Sequence, residues 1–229
     1  VVENGDDHVT FLLHSPDGDQ GYPGALDMKV TYTLDEENGL TIHYEAVPDQ
    51  DTVINMTNHS YFNLNGHKSG SVLHHRMQLL SDAFTPADAQ SIPTGEVCSV
   101  DGTPMDFRST KELGAEIDAA YEPLILGNGY DHNWVLKNEG RFDKVAEVTG
   151  DESGIVMEVW TDRPGVQVYT ANFLENEAGR NGAVYQKRDA VCLETQNYPD
   201  AVHQKNFPEA ICKKGETYDT KTAYRFHIE

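Results

Sequence analysis

Apolar and polar residues alternate with a period of two along much of this chain. Met28, Val30, Tyr32 and Leu34 alternate with Lys29, Thr31 and Thr33, and Leu40, Ile42 and Tyr44 alternate with Thr41, His43 and Glu45. Glu37-Asn38-Gly39 between them is a turn sequence, so the two runs predict a β-hairpin. The same pattern returns over residues 154–162, 165–173, 190–196 and 222–228. Turn clusters such as Ser15-Pro16-Asp17-Gly18 and Asp151-Glu152-Ser153-Gly154 punctuate the chain. Many short strands of this kind predict an all-β sandwich or a related multi-sheet architecture. One short helix is expected as a surface connector, because Ser109-Thr110-Lys111-Glu112 fits a capping box. No internal repeat, low-complexity tract or linker-like break interrupts the pattern, so residues 1–229 read as one β domain.

Charge narrows the partners. Against 17 lysines and arginines stand 38 aspartates and glutamates, a formal charge of -21. Such a field repels nucleic acid and anionic lipid, and a neutral small molecule is the easier ligand. Cys98, Cys192 and Cys212 are odd in number and lack CxxC spacing, which points to reduced thiols and a cytoplasmic setting. No apolar run is long enough to span a bilayer, and Val1-Val2-Glu3-Asn4-Gly5 is no signal peptide. The sequence leaves the oligomeric state open.

Four segments hold side chains that could carry chemistry. In Asn58-His59-Ser60-Tyr61-Phe62-Asn63-Leu64, His59 is flanked by Asn58, Ser60 and Asn63, which could fix its tautomer. Imidazole is the side chain whose charge change ordinarily falls near neutrality, which suits a general acid; a satisfied core histidine is the plainer alternative. In the run 190–196, Cys192, Glu194 and Gln196 face one way while Val191, Leu193 and Thr195 face the other. Partial desolvation there would raise Glu194 toward general-base strength, whereas an outward-facing glutamate would be merely solvated. Asp131 and Trp134 follow a glycine-rich turn and are types that sugar sites favour, though Asp131 could equally serve its own turn and Trp134 the core. Gln167 and Tyr169 share a strand face that suits hydroxyl recognition or plain solvent exposure.

Other chemistries find less support. His74 and His75 are adjacent and diverge in an extended chain, and no HExxH or Cys/His spacing suggests a metal. Neither a P-loop, a G-x-G-x-x-G nor a G-x-S-x-G elbow occurs. Asp17-Gly18-Asp19 is too short for a calcium loop. Asn55-Met56-Thr57 and Asn58-His59-Ser60 match the glycosylation pattern, accidentally in a chain without secretory signs.

Taken together, the motifs resemble those of the aldose 1-epimerase (galactose mutarotase) family. They are Gly21-Tyr22-Pro23-Gly24, the Asn58-to-Leu64 run, Gly129-Tyr130-Asp131-His132-Asn133, Pro164-Gly165-Val166-Gln167 with Tyr169-Thr170, and Leu193-Glu194-Thr195-Gln196-Asn197-Tyr198-Pro199-Asp200-Ala201. Each is weak alone; in family order across nearly the whole chain they are specific. The resemblance implies a large twisted β-sandwich of the galactose mutarotase type. It implies His59 as general acid, Glu194 as general base, and Asp131 and Gln167 as holders of sugar hydroxyls. It also implies interconversion of the α and β anomers of free hexoses such as galactose and glucose, with no metal, nucleotide or redox cofactor. His59 and Glu194 should then approach the same hemiacetal.

The chain departs from the family at its start. The family's GRxxNR and LHGG-like motifs, whose Arg and His line the sugar site, do not occur here, so the domain is expected to be N-terminally incomplete, as a fragment or as a truncated relative. A truncated relative would leave sheet edges and apolar faces uncovered. Two other readings accompany the enzyme. A non-catalytic sugar-binding or regulatory relative would keep the fold without turnover. A sugar-phosphate epimerase would need a basic pocket that the charge of -21 disfavours.

Overall fold

The computed structural model describes residues 1–229 and is built almost wholly from antiparallel strands. Nine strands form one sheet in the spatial order Glu3–Asn4, His8–Ser15, Leu26–Leu34, Gly39–Pro48, Tyr218–Ile228, Ile155–Thr161, Asp143–Thr149, Arg76–Leu79 and Lys111–Glu112. Five strands form a second sheet, ordered Cys192–Gln196, Gly165–Tyr169, Asp131–Val135, Ala83–Thr85 and Cys98–Ser99. Two further pairs, Glu177–Ala178 with Val184–Tyr185 and Thr52–Val53 with Ile211–Cys212, complete the strand pairing.

The alternation explains how these sheets meet. In Gly39–Pro48, Ile42, Tyr44 and Ala46 are buried while His43, Glu45 and Val47 lie at or near the surface. The expected hairpin is present, with Leu34 paired to Leu40 and Met28 to Ala46. From the nine-stranded sheet Ile42, Met77, Leu79, Met157 and Tyr224 enter one core with Phe84, Trp134, Val166, Val168 and Leu193 from the five-stranded sheet. Burying side chains of this size supplies roughly 1.5–3 kcal/mol each against the entropy of ordering the chain. Away from this core, Phe11, Leu12 and Leu13 on the strand His8–Ser15 remain exposed.

The helix expected after Ser109 does not form. Lys111 and Glu112 pair as a short strand with Met77 and Arg76, and the next amides, Leu113 and Gly114, donate to His75 and Leu73 oxygens at 2.9 and 2.7 Å. Leu113 is thereby fully buried, and Lys111 Nζ bonds Pro104 O at 2.9 Å. Two turns of helix offer too few hydrogen bonds to compete with a sheet edge that also buries a leucine. The α-helix that does occur is Glu122–Leu126, which carries Pro123 in its first turn and leans on the buried Leu124.

Both glycosylation patterns belong to the fold's own bonding. Asn55 exchanges hydrogen bonds with the Asn197 backbone at 3.1 and 2.8 Å, and Asn58 is buried against two tyrosines. No helix is long and apolar enough to cross a membrane.

Candidate active site

The five-stranded sheet turns one face to the core and the other to a hollow. Residues paired directly across a ladder point the same way, and so do residues two apart along a strand. Glu194 pairs with Gln167, and Gln167 with Asn133. Cys192 pairs with Tyr169, and Tyr169 with Asp131. Asp131, Gln167, Tyr169 and Glu194 therefore share one face, opposite Val166, Val168, Trp134 and Leu193. Gly165 permits the close packing of this face, since a Cβ there would lie 2.2 Å from Asn133 Oδ1 and 2.9 Å from the Tyr198 ring.

His59 comes from outside the sheet, and its segment is tied down at several points. Thr57 Oγ1 donates to Thr195 O at 2.9 Å, and Tyr224 Oη donates to Asn58 Oδ1 at 3.0 Å. Phe62 exchanges a pair of 2.9 Å backbone bonds with Val191. Asn63 Nδ2 donates to Gly70 O at 2.7 Å and to Asp189 O at 3.0 Å. These ties fasten the segment to the Glu194 strand before and after His59. Asn58 and Asn63 thus fix the backbone around His59 and leave its tautomer alone. The polar partner that meets the imidazole is Glu194, with Nε2 and Oε1 3.2 Å apart.

All four residues that the sequence nominates line one cavity of about 430 Å³, with Tyr61, Tyr169, Phe173, Gln196 and Pro199 completing the wall. That volume lies within the usual range for small-molecule pockets. Gln167 Nε2 donates to Asp131 Oδ1 at 2.8 Å, leaving the rest of the carboxylate to face the hollow. Trp134 is not at the site. It is fully buried on the opposite face of the same strand, with Nε1 donating to Met105 O at 3.0 Å. A neighbouring hollow of about 480 Å³ shares Tyr61 but is lined largely by apolar groups such as Phe62, Leu174 and Ala190, and neither His59 nor Glu194 lines it.

Burial sets the electrostatics. The Glu194 side chain is 11% exposed, whereas that of His59 is 49% exposed. Desolvation, helped by the Asp131 carboxylate, pushes Glu194 up to about 7. Burial also raises Asp131, against the opposing hydrogen bond from Gln167. Buried His132 beside it is pushed down to about 4 by desolvation and accepts the Asp131 N–H at 3.1 Å, so it serves the backbone as a neutral ring.

Two tyrosines wall the imidazole; the alternation points to a polar face for Tyr169, and nothing in the sequence alone assigns a contact to Tyr61. Tyr61 stacks on His59 with centroids 4.9 Å apart and planes 22° apart, and Tyr169 meets the imidazole edge-on at 5.8 Å. Both lie inside the quoted motifs, so the signal was the His-x-Tyr spacing and the Gln-x-Tyr alternation. The donor atoms of His59, Cys192 and Glu194 also lie within 4.8 Å of one another. Cys192 is fully buried, and desolvation with the nearby Glu194 and Asp131 carboxylates pushes its thiol far above its ordinary value.

The chain compares closely with known proteins. Residues 1–225 match the family model described as aldose 1-epimerase. The chain is 45% identical over 229 residues to a galactose mutarotase of Homo sapiens, covering all of itself and 64% of that protein. It is 37% identical over 232 residues to an aldose 1-epimerase of Escherichia coli strain K12, covering 66% of it. Among solved structures, a GalM/aldose epimerase homologue from C. elegans superposes with a TM-score of 0.89 at 28% identity, over 99% of this chain and 67% of that one. A galactose 1-epimerase from Lactobacillus acidophilus gives 0.84 at 27% identity, over 99% and 65% respectively. The chain thus spans about 64% of the length of the mammalian relatives it matches. With the motifs in order, the sandwich formed and the match running from residue 1 to 225, this chain belongs to the aldose 1-epimerase family.

Proposed function

We propose that this chain interconverts the α and β anomers of free neutral hexoses such as galactose and glucose, with residues 1–229 acting as one catalytic β domain. The observation that carries the reading is the 3.2 Å approach of His59 Nε2 to Glu194 Oε1 in a cavity that also presents Asp131 and Gln167. The two hemiacetal oxygens sit on one carbon. An acid and a base that serve them must therefore be close neighbours, and an incoming sugar would part the pair and take its place between them.

In this mechanism Glu194 takes the proton of the anomeric hydroxyl. The bond between C1 and the ring oxygen breaks, its electron pair goes to the ring oxygen, and protonated His59 donates a proton there. The product is an open-chain aldehyde. Rotation about C1–C2 presents the other carbonyl face, and the hydroxyl adds back while both proton transfers reverse. The balance closes on protons alone. Each positioned acid or base contributes about 10²- to 10⁴-fold, roughly 3 to 5 kcal/mol of barrier. Asp131 and Gln167 hold ring hydroxyls, and Tyr61 and Tyr169 hold the imidazole.

The relatives' names, galactose mutarotase and aldose 1-epimerase, support this substrate class. The formal charge of -21 supports a neutral sugar over a sugar phosphate. The unpaired Cys98, Cys192 and Cys212 support a reducing, cytoplasmic setting. Polarimetry on freshly dissolved α-D-galactose tests the proposal. The chain should speed the approach to the anomeric equilibrium in proportion to its concentration. Decay at the spontaneous rate, with sugar bound, would instead identify a binder that lacks turnover.

A further inference from the structure

Arg188 is 7% exposed, and arginine is almost never so deeply buried without an acidic partner. Its guanidinium hydrogen bonds go to neutral oxygens instead: Nη1 to Thr170 Oγ1 at 2.8 Å and to Asn172 Oδ1, and Nη2 to Asn128 O at 2.7 Å. The nearby Asp118 carboxylate favours the charge without forming a salt bridge, and desolvation outweighs it, so the guanidinium is pushed down from its ordinary value. Burying a cation with hydrogen bonds only to neutral groups is costly, so what the arrangement maintains is informative.

It maintains the two segments that flank the sugar site. Asn128 belongs to the turn that ends immediately before Asp131, and Thr170 immediately follows Tyr169. The segments are also knotted to each other. Thr170 N and Asn172 Nδ2 donate to Tyr130 O at 3.1 and 2.9 Å, and Asn172 Nδ2 reaches Gly127 O at 2.7 Å. Gly129, with φ of +129°, provides the space, because a Cβ there would fall 2.2 Å from Arg188 Nη1. The arginine backbone is anchored in turn, with its N–H on Ala171 O at 3.3 Å and its carbonyl accepting from Val72 N at 2.8 Å.

We infer that Arg188 is a positioning residue, a clamp that fixes Asp131 and Tyr169 relative to each other and thereby sets the affinity for the sugar. This rests on the proposed function of the site. None of its hydrogen bonds reaches His59 or Glu194, so the clamp governs binding more than proton transfer. Lysine keeps the charge but offers a single ammonium where the planar fork bridges three acceptors.

The test compares the 229-residue chain with Arg188→Lys and Thr170→Val, measuring KM and kcat for α-D-galactose and Kd for galactose by calorimetry. The expected result for Arg188→Lys is a rise of about tenfold in KM and Kd, roughly one bidentate contact's worth, with kcat within about threefold of the parent. Thr170→Val should move the same constants in the same direction by less. A folded Arg188→Lys chain with unchanged KM and Kd, or with kcat reduced at constant KM, would overturn the inference. Should Arg188→Lys fail to fold, unchanged constants in Thr170→Val would overturn it equally. A parent chain that binds galactose without turning it over would defeat the proposed activity and leave Kd to judge the clamp. One that neither binds nor turns over galactose would defeat both.

Discussion

Gln167 and Glu194 stand directly opposite each other across one strand ladder, so the amide that steadies Asp131 and the candidate base have fixed relative positions. Their separation follows from backbone pairing, and neither depends on a mobile loop. His59 alone comes from outside this sheet, so its place in the geometry depends on the anchoring through Thr57, Asn58 and Phe62.

Removing either member of the proposed acid–base pair should abolish most turnover. His59→Asn and Glu194→Gln are each expected to lower kcat by about 10²- to 10⁴-fold, with circular dichroism and melting behaviour showing a folded chain. Retention of the parental rate in either variant would refute the assignment.

The rate should depend on pH through Glu194. Its value of about 7 means that the base form is depleted below neutrality. kcat/KM is expected to fall about tenfold per pH unit on the acid side of that value. A pH profile flat between 5 and 8 would show that another group accepts the proton.

The same burial has a stability signature with a definite sign. Glu194 is raised from 4.5 to about 7, so the folded state favours its protonated form. Its contribution is fully present below pH 4.5 and is lost as pH rises through about 7. At pH 8 the neutral Glu194→Gln chain should therefore be more stable than the parent by roughly 1–3 kcal/mol, and the gain should vanish near pH 4. Equal stabilities at both pH values in chemical denaturation would contradict a desolvated carboxylate.

Asp131 should act on affinity. Asp131→Asn removes the charged acceptor proposed for sugar hydroxyls, worth about 1.5–3 kcal/mol, and KM should rise roughly 10- to 150-fold. Gln167→Ala should raise KM less. The double variant should fall short of the product of the two effects because the side chains share a 2.8 Å bond. Strict multiplicativity would argue that they bind the sugar independently.

Tyr61→Ala removes the ring stacked on His59. Aromatic pairs of this kind contribute about 0.5–1.5 kcal/mol, so a fall of roughly 2- to 10-fold in kcat is expected, with Tyr61→Phe near the parent. A loss in Tyr61→Phe as large as that in Tyr61→Ala would assign the role to the hydroxyl.

Much of this was legible in the residues themselves. Alternation located the hairpin of Leu26–Leu34 with Gly39–Pro48 and assigned Glu194 and Gln167 to strand faces, because a period of two leaves only two choices. Which face met the hollow was not legible, since composition does not distinguish a solvated glutamate from a desolvated one. Trp134 shows the converse: its type fits a sugar site, yet its parity along Asp131–Val135 sends it to the core. The capping box at Ser109 misled because a local signal cannot report that the strand Arg76–Leu79 lies within pairing distance. The ties from Asn58 to Tyr224 and from Thr57 to Thr195 join segments far apart in sequence, and no local pattern announces them.

The shared ladder has a consequence for how such a surface can change. A one-residue slip of the Cys192–Gln196 strand would turn Glu194 inward and Leu193 outward in the same movement. The apolar interior resists that exchange, so the oils of the core act as the gauge that keeps the wet side in alignment. Mutations far beneath the hollow that loosen this grip would therefore blur its polar pattern as a whole, rather than one contact at a time.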